Sequence, residues 1–453
     1  MATGELSALA VAEQQAAVVN HIEYQLVEDL RRPRVVTDFK PLNIEGETAE
    51  VMLAQCGDEG SRTKGGARFW DYPTTDAQEE STAHLGEGME AKLNAIDAID
   101  ETTGEPIHGG KVSVRTRLQG RSHDVKAQAA YDLAERLEGY MGAFGYVPAS
   151  DVDTNAAFCD NMEAAYAAAH PDDPYAAAAV TGKSSMLARP GATGLGGYHS
   201  NIAVLDFLQE EGRLPDGRMI ANVQGGGNVA AWYGLSAAQD SDNRIGIGSI
   251  GEADGVLYTP DPHGIEITPE MIRLIADNPD FEGSKLDAYQ QLIMRNQPGL
   301  ELHRSTDRNL IYELPADIFT TAAVGTLVTR RQVAMLEKAG VKIINELGND
   351  AIDADGEDAA YAAHMTVNPF NRANAGGVRM SLKERQIAID LADGEIAAAP
   401  NPDDLNKELA GFMYDQTRAT MEMARLHNVS ERVATCMIGQ RNLLRRAGVA
   451  LAV

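Results

Sequence analysis

Cysteine is nearly missing from this chain of 453 residues: Cys56, Cys159 and Cys436 are the only three. So few and so scattered, they frame neither a disulfide-stapled fold nor a cysteine-rich zinc site, and a reducing compartment is the economical reading. Positive charge is scarce as well. Lys and Arg number 39 against 67 Asp and Glu, a net charge of −28. A surface of that sign repels phosphate backbones and anionic lipid, so neither nucleic acid nor a membrane surface is expected as a partner. No run approaches the roughly 18 uninterrupted apolar residues of a membrane span. The opening stretch, MATGELSALAVAEQQAAVV, lacks a basic leader and carries Glu5 and Glu13 among its apolar residues; it reads as an amphipathic helix, not a signal peptide. The ten histidines show no H-x-x-x-H spacing, so no metal site is expected. These absences together point to a cytoplasmic protein.

What is present is ordinary globular material. Hydrophobic residues make up 44% and charged residues 23%, a balance that buries a core. The length suggests two to four domains of roughly 100–200 residues each. No fixed period recurs, which removes solenoids and propellers. Residues 127–145, AQAAYDLAERLEGYMGAFG, have helical apolar spacing, and the Ala-rich run 156–170 stops near Pro171. Glycine and serine then thicken over 181–197, a stretch that reads as a hinge, a ligand-lining loop or a plain linker. Beyond it, short apolar runs alternate with helices: MIANVQ (219–224), RIGIGSI (244–250), ADIFTTAAV (316–324) and GVKIINEL (340–347), with RRQVAMLEKAG (330–340) between the last two. Strand, helix, strand in that order implies a parallel sheet with crossover helices. From Ser381 onward the chain is mainly helical. GKSS at 182–185 lacks the upstream glycine of a P-loop, so an ATPase reading fails.

Gly225-Gly226-Gly227-Asn228-Val229-Ala230 matches G-x-G-x-x-A. Three glycines in a row satisfy that pattern easily, but a strand runs into it and a helix, VAAWYGLSAAQ, leaves it. Gly225 permits the tight turn, Gly227 lets the backbone approach a pyrophosphate, and Ala230 lets the helix pack on its strand, with Asn228 and Val229 opening the helix toward the phosphates. A second match, Gly246 to Gly251, is followed by Glu252-Ala253-Asp254-Gly255, a turn and not a helix start. It reads as the second strand of the same unit and its exit loop. Such a strand usually ends in an acid for the adenosine ribose. Gly248, Ser249 and Ile250 occupy the candidate positions, with Glu252 a little later and no arginine at the tip; Ser249 is the cofactor candidate there, and NAD or NADP stays open.

Three lysines stand out in the first half: Lys64 in TKGGARFW, Lys92 in GMEAKLNA and Lys111 in HGGKVSV. Most lysines are solvated surface charges. Flanking glycines at 65–66 and 109–110 favour a role for Lys64 and Lys111, because they remove bulk where a substrate carboxylate approaches an ammonium. A lysine held near other cations and away from water loses proton affinity and acts near neutral pH. His108, before the second glycine pair, reads most simply as a loop histidine without a role.

These segments carry a resemblance. With VPASDVDTN, VTGK…ATGLG, VQGGGNVA, DGVLYTP, ELGN and NAGGVRMSLKE, nine in order, the chain resembles the glutamate/leucine/phenylalanine/valine dehydrogenase superfamily, the glutamate dehydrogenases in particular. The resemblance implies an α/β fold of two domains: a mixed α/β substrate-binding and oligomerisation domain over residues 1–190, a Rossmann-like dinucleotide-binding domain over 191–380, and C-terminal helices, 381–453, returning to the first. It implies that Lys64 grips the distal carboxylate of the substrate with Ser381, that Lys92 binds the α-carboxylate, that Lys111 polarises the carbonyl and activates water, and that Asp151 shuttles protons. Thr193 and Asn349 fall on positions near the nicotinamide. Implied too are glutamate, 2-oxoglutarate and ammonium as reactants, NAD or NADP as cofactor, and a homo-oligomer, most often a hexamer. Dehydrogenases for other amino acids and a non-catalytic nucleotide-binding relative are the alternatives. The chain departs from the pattern in places: ETTGEP lengthens the interval between Lys92 and Lys111, Val112 and Ser113 follow Lys111 where glycines are usual, and Asp153 stands where glycine is common.

Overall fold

Short apolar strands whose side chains alternate between two faces build a five-stranded sheet from the first third of the chain. The computed structural model describes residues 33–184, 189–276, 278, 281, 283–325 and 327–446; the amphipathic N-terminal segment lies outside the described residues. The chain divides into two compact units, one comprising 33–184, Val378–Pro402 and 438–446, the other Pro190–Gly377 and Asp403–Met437.

In the first unit, β1 (Arg34–Val36), the hairpin of β2 (Leu42–Ile44) and β3 (Glu47–Ala49), β4 (Val51–Gln55), β5 (Thr63–Trp70), α1 (Thr75–Ala95), β6 (His108–Arg115), α2 (His123–Arg136), β7 (Tyr146–Ser150) and α3 (Ala156–Ala169) follow one another. The sheet runs β1-β4-β6-β5-β7, with β5 parallel to β6 and β7 and β4 antiparallel to β6. Val112, Val114, Ala67 and Phe69 bury one face with Leu133 of α2 and Phe158 and Met162 of α3. The other face is polar. There Gln78 Nε2 donates to Ser113 Oγ at 3.1 Å, and Thr82 and Ser113 hydroxyls meet at 2.5 Å, joining α1 to β6. α2 is shorter than its apolar spacing predicts: it ends at Arg136, and the chain folds back through Gly142 at φ 149° so that Tyr146 can enter β7.

The second unit opens with α4 (Arg189–Glu210), so the small-residue run ATGLGG is helical. The glycines are there for close packing: a Cβ on Gly194 would lie 2.5 Å from Val229 O and 2.7 Å from Tyr233 N. Then come β8 (Met219–Gln224), α5 (Asn228–Gln239), β9 (Ile245–Glu252), β10 (Gly255–Tyr258), α6 (Lys285–Asn296), β11 (His303–Ser305), β12 (Ile318–Thr321), α7 (Arg330–Ala339), β13 (Ile343–Glu346), α8 (Ala354–Ala362) and β14 (Thr366–Asn368). The seven strands lie in the order β11-β10-β9-β8-β12-β13-β14. β9, β8, β12, β13 and β14 are parallel, and β10 and β11 add an antiparallel edge. Chain order reverses between β8 and β12, the switch point at which open α/β sheets bind ligands. Separate apolar cores cover the two faces, one with Tyr233, Ile247 and Ile318, the other with Phe319, Val333 and Ile344.

α9 (Gly376–Asp393), α10 (Pro402–His427) and α11 (Glu431–Arg446) complete the fold. Residues 381–453, read as one block returning to the first domain, divide instead. α10 belongs to the second unit, where Tyr414 OH donates to Asp206 at 2.8 Å, Arg418 pairs with Glu210 at 2.6 Å and Thr417 meets Ser200 at 2.7 Å. Polar groups facing α4 decide its place. Among the described residues no helix is long and apolar enough to cross a membrane.

Candidate active site

On β5, alternation puts Lys64, Gly66 and Arg68 on one face; on β6 it puts Gly109, Lys111 and Ser113 on the same face, with Lys64 beside Gly109 in register. Gly66 leaves the space that Asp151 fills, since a Cβ there would lie 2.7 Å from Asp151 Cβ. The Lys111 ammonium therefore reaches Asp151 Oδ2 and forms a direct ion pair, while Arg68 Nε approaches the same oxygen at 3.1 Å. Burial drives the Lys111 amine below its ordinary pKa; the Asp151 charge opposes this and the Arg68 cation adds to it. Burial alone would raise the Asp151 carboxyl, but Lys111 and Arg68 outweigh it and hold the group well below the usual carboxylate range. A carboxylate held below its ordinary range thus faces an amine shifted below its own.

Lys64 is 2% exposed and its Nζ donates to Val147 O at 3.4 Å. Pro148, next along β7, accepts from Thr181 N at 3.0 Å, and Thr181 Oγ1 contacts Ser381 Oγ at 3.3 Å. Ser381 on α9 is thereby tied to the strand that bears the Lys64 acceptor. Glu384, one turn further along α9, accepts from Gly182 N at 2.7 Å and Lys183 N at 3.3 Å. Lys92 is also buried, on α1. Asp153, where glycine is common, takes the left-handed backbone that glycine favours, φ 63°; Arg117 and Leu118 N bind its carboxylate.

The added residues before Lys111 form a closed excursion. Ile107 N bonds Ala98 O at 3.1 Å and Ile99 bridges Pro106, closing the neck. Asp100, fully buried, caps Thr102 N and Thr103 N and pairs with Arg62 and Arg385. The excursion returns to the sheet at His108, in the strand and not in a loop, and Lys111 pairs with Ala54 of β4.

In the second unit the β8–α5 junction carries the glycine motif. Gly225 has φ 122°, and a Cβ there would lie 2.6 Å from Ala322 O beyond β12. Among the described residues only Lys285 Nζ, 3.7 Å away, stands near the corresponding point of Gly227. Gln224 Oε1 and Asn228 Oδ1 are buried without hydrogen-bond partners among the described residues. An open backbone turn, the Lys285 ammonium and a 12-residue helix starting at Asn228 fit a dinucleotide pyrophosphate. Val229 packs on the core beneath. Thr193 on α4 lies against Gly377, and Asn349 Oδ1 accepts from Asn374 Nδ2 at 2.8 Å.

Ser249 is placed differently from its reading as the strand-tip residue. It lies inside β9, paired with Asn222 and Tyr258 and fully buried, because the strand continues three residues further. Glu252 takes the tip, and its carboxylate accepts from Gly226 N at 2.7 Å. The signal for this was the unbroken run of small and apolar residues through Gly251. Lys285 and Arg68 are the other residues that sequence reasoning passed over. Arg68 lay within a quoted motif; Lys285, 58 positions after Gly227, had no local signal.

The chain is similar to known dehydrogenases. Residues 184–447 match the family model described as Glutamate/Leucine/Phenylalanine/Valine dehydrogenase. The chain is 26% identical to the NADP-specific glutamate dehydrogenase of Haemophilus influenzae, across 61% of this chain and 58% of that protein. It is 25% identical to the glutamate dehydrogenase of Thermotoga maritima, across 94% and 92%. The crystal structure of Plasmodium falciparum glutamate dehydrogenase superposes with a TM-score of 0.78 at 18% identity, covering 97% of this chain and 88% of that one.

Proposed function

The chain belongs to the glutamate/leucine/phenylalanine/valine dehydrogenase family, and from that premise we propose that it interconverts L-glutamate with 2-oxoglutarate and ammonia, using NAD in preference to NADP. The observation that carries the reading is the Lys111–Asp151 ion pair with buried Lys64 on the adjoining strand. Lys64 takes the distal carboxylate, with Ser381 as a second donor. Lys92 takes the α-carboxylate. Lys111 polarises the substrate carbonyl and orients water, and Asp151 accepts and returns protons at the nitrogen. Bound at Gly225, Gly227, Asn228 and Val229, with Thr193 and Asn349 toward the nicotinamide, the dinucleotide supplies the hydride acceptor. Glu252 supports NAD: a carboxylate at the strand tip accepts from ribose hydroxyls and repels a 2′-phosphate. Assembly as a homo-oligomer, hexameric by family resemblance, completes the proposal.

The test follows oxidation of NADH and NADPH separately, with ammonium and either 2-oxoglutarate or 4-methyl-2-oxopentanoate. Ammonium-dependent turnover of 2-oxoglutarate with NADH, lost in Lys111→Ala and Asp151→Asn, is expected. Equal or better turnover of the branched oxo acid would overturn the glutamate assignment. Silence with every oxo acid would leave nucleotide binding without catalysis.

A further inference from the structure

We propose that Glu90 is the positioning residue that fixes Lys111 against Asp151, with His108 as its partner. Glu90 lies on α1 with no exposed surface. A carboxylate in that place is unfavourable unless donors surround it, and three converge on it. Gly109 N donates to Oε2, while Asn94 Nδ2 at 2.9 Å and His108 Nδ1 at 3.1 Å meet Oε1. Only one of the three is a backbone group, and it belongs to the strand that carries Lys111.

The contact is close because both backbones allow it. A Cβ on Gly109 would lie 2.6 Å from Gly86 O and 2.8 Å from Glu90 Cα, so helix and strand touch main chain to main chain. Gly109 O is held as well, accepting from Cys56 N at 2.8 Å. Both polar groups of Gly109 are therefore committed, one to Glu90 Oε2 and one to Cys56 N. Lys111 lies two residues further on the same face of the strand. His108 connects the clamp to the excursion: its backbone N bonds Arg62 O at 2.8 Å, and its ring packs at Gly57, where a Cβ would lie 2.8 Å from it. Glu90 and His108 thus seize the chain at the first two residues after the excursion closes. In this role the clamp separates Lys111 from any motion of the added residues. Glu90 does not touch the reacting atoms in this account; it acts through Gly109.

The experiment compares Glu90→Ala, Glu90→Gln and Thr82→Val in the full chain. Thr82 holds the same helix to the same strand through Ser113, so its variant loosens the interface without releasing Gly109. Steady-state constants with 2-oxoglutarate, ammonium and NADH are measured beside thermal melts. Acetylation of Lys111 by acetic anhydride is read by peptide mass. Glu90→Ala is expected to lower kcat by ~30- to 100-fold, as a displacement of about 1 Å does, with KM changed by less than about threefold. Acetylation of Lys111 should rise about tenfold, reporting a loosened strand. Glu90→Gln keeps a carbonyl for Gly109 N and should restore most of the kcat. Thr82→Val should lower the melting temperature and leave kcat and Lys111 protection near wild type. Equal kcat losses in Glu90→Ala and Thr82→Val, or unchanged protection of Lys111 in Glu90→Ala, would overturn the proposal. Where Glu90→Ala does not fold, Glu90→Asp replaces it with the same expected direction. The kinetic arm rests on the dehydrogenase reading. If the wild type turns over no oxo acid, that reading fails, and the acetylation comparison still decides the role of Glu90.

Discussion

Gly66→Ala isolates the placement of Asp151 from its chemistry. The added methyl would lie 2.7 Å from Asp151 Cβ and 3.3 Å from its carboxyl carbon. Carbon atoms rest at roughly 3.5–4.0 Å, so Asp151 has to retreat by about 1 Å. That carries its carboxylate away from Lys111 while both charged groups stay in the protein. A displacement of that size lowers turnover by roughly 100-fold, and overpacking costs about 1–3 kcal/mol of stability. Gly88→Ala is the control: nothing lies within 4 Å of its added methyl, on the same α1 that borders the site. It should gain helix stability of about 1 kcal/mol and keep full activity. The assay is kcat for reductive amination beside a thermal melt of each variant. A Gly66→Ala protein with a lowered melting temperature and a wild-type kcat would refute the claim that Asp151 must sit where it does. One with no change in melting temperature would refute the packing geometry itself.

Lys64→Leu should lower kcat/KM for 2-oxoglutarate by between about 30- and 1,000-fold, from ~2–4 kcal/mol for a lost buried charge pair, and raise use of 4-methyl-2-oxopentanoate. Glu252→Ser removes the strand-tip charge and should raise the NADPH-to-NADH ratio of kcat/KM by about tenfold or more; an unchanged ratio would free the tip of any part in selection. Arg68→Gln removes a cation beside Lys111 that favours the neutral amine, so the limb of the pH–rate profile due to Lys111 should move to higher pH. Folded Lys111 binds its proton more weakly than an unfolded lysine. Unfolding therefore takes up a proton between the two pKa values, and stability rises with pH across that window; the rise should shrink in Arg68→Gln melts.

Four strands and two helices of the second unit were legible because each carries its own signal. MIANVQ is β8 without adjustment, and RRQVAMLEKAG is α7 closed by Gly340 at φ 96°. The run ATGLGG was not, since glycine speaks for loops until helices are found packed against it. The end of β9 failed for a related reason: Gly246, Gly248 and Gly251 lie within a strand because Arg218, Ile220 and Ile311 crowd it, a cause that no window of sequence contains. Lys111 and Asp151 were singled out by motif, yet their approach depends on Gly66, a neighbour of Lys64. The partners of Glu90 are local in part: Asn94 is one helical turn away, but Gly109 is 19 residues on, across the excursion.

The excursion of residues 98–107 is a detachable ornament on a strand that must not move. Its neck is closed by main-chain bonds, its root is sealed by Asp100, and residues 101–105 at its tip are exposed. Such a tip is where chains accept foreign sequence. A peptide tag or a small fluorescent domain grafted there would ride within one short loop of the strand that bears Lys111, a reporter built beside the proposed site.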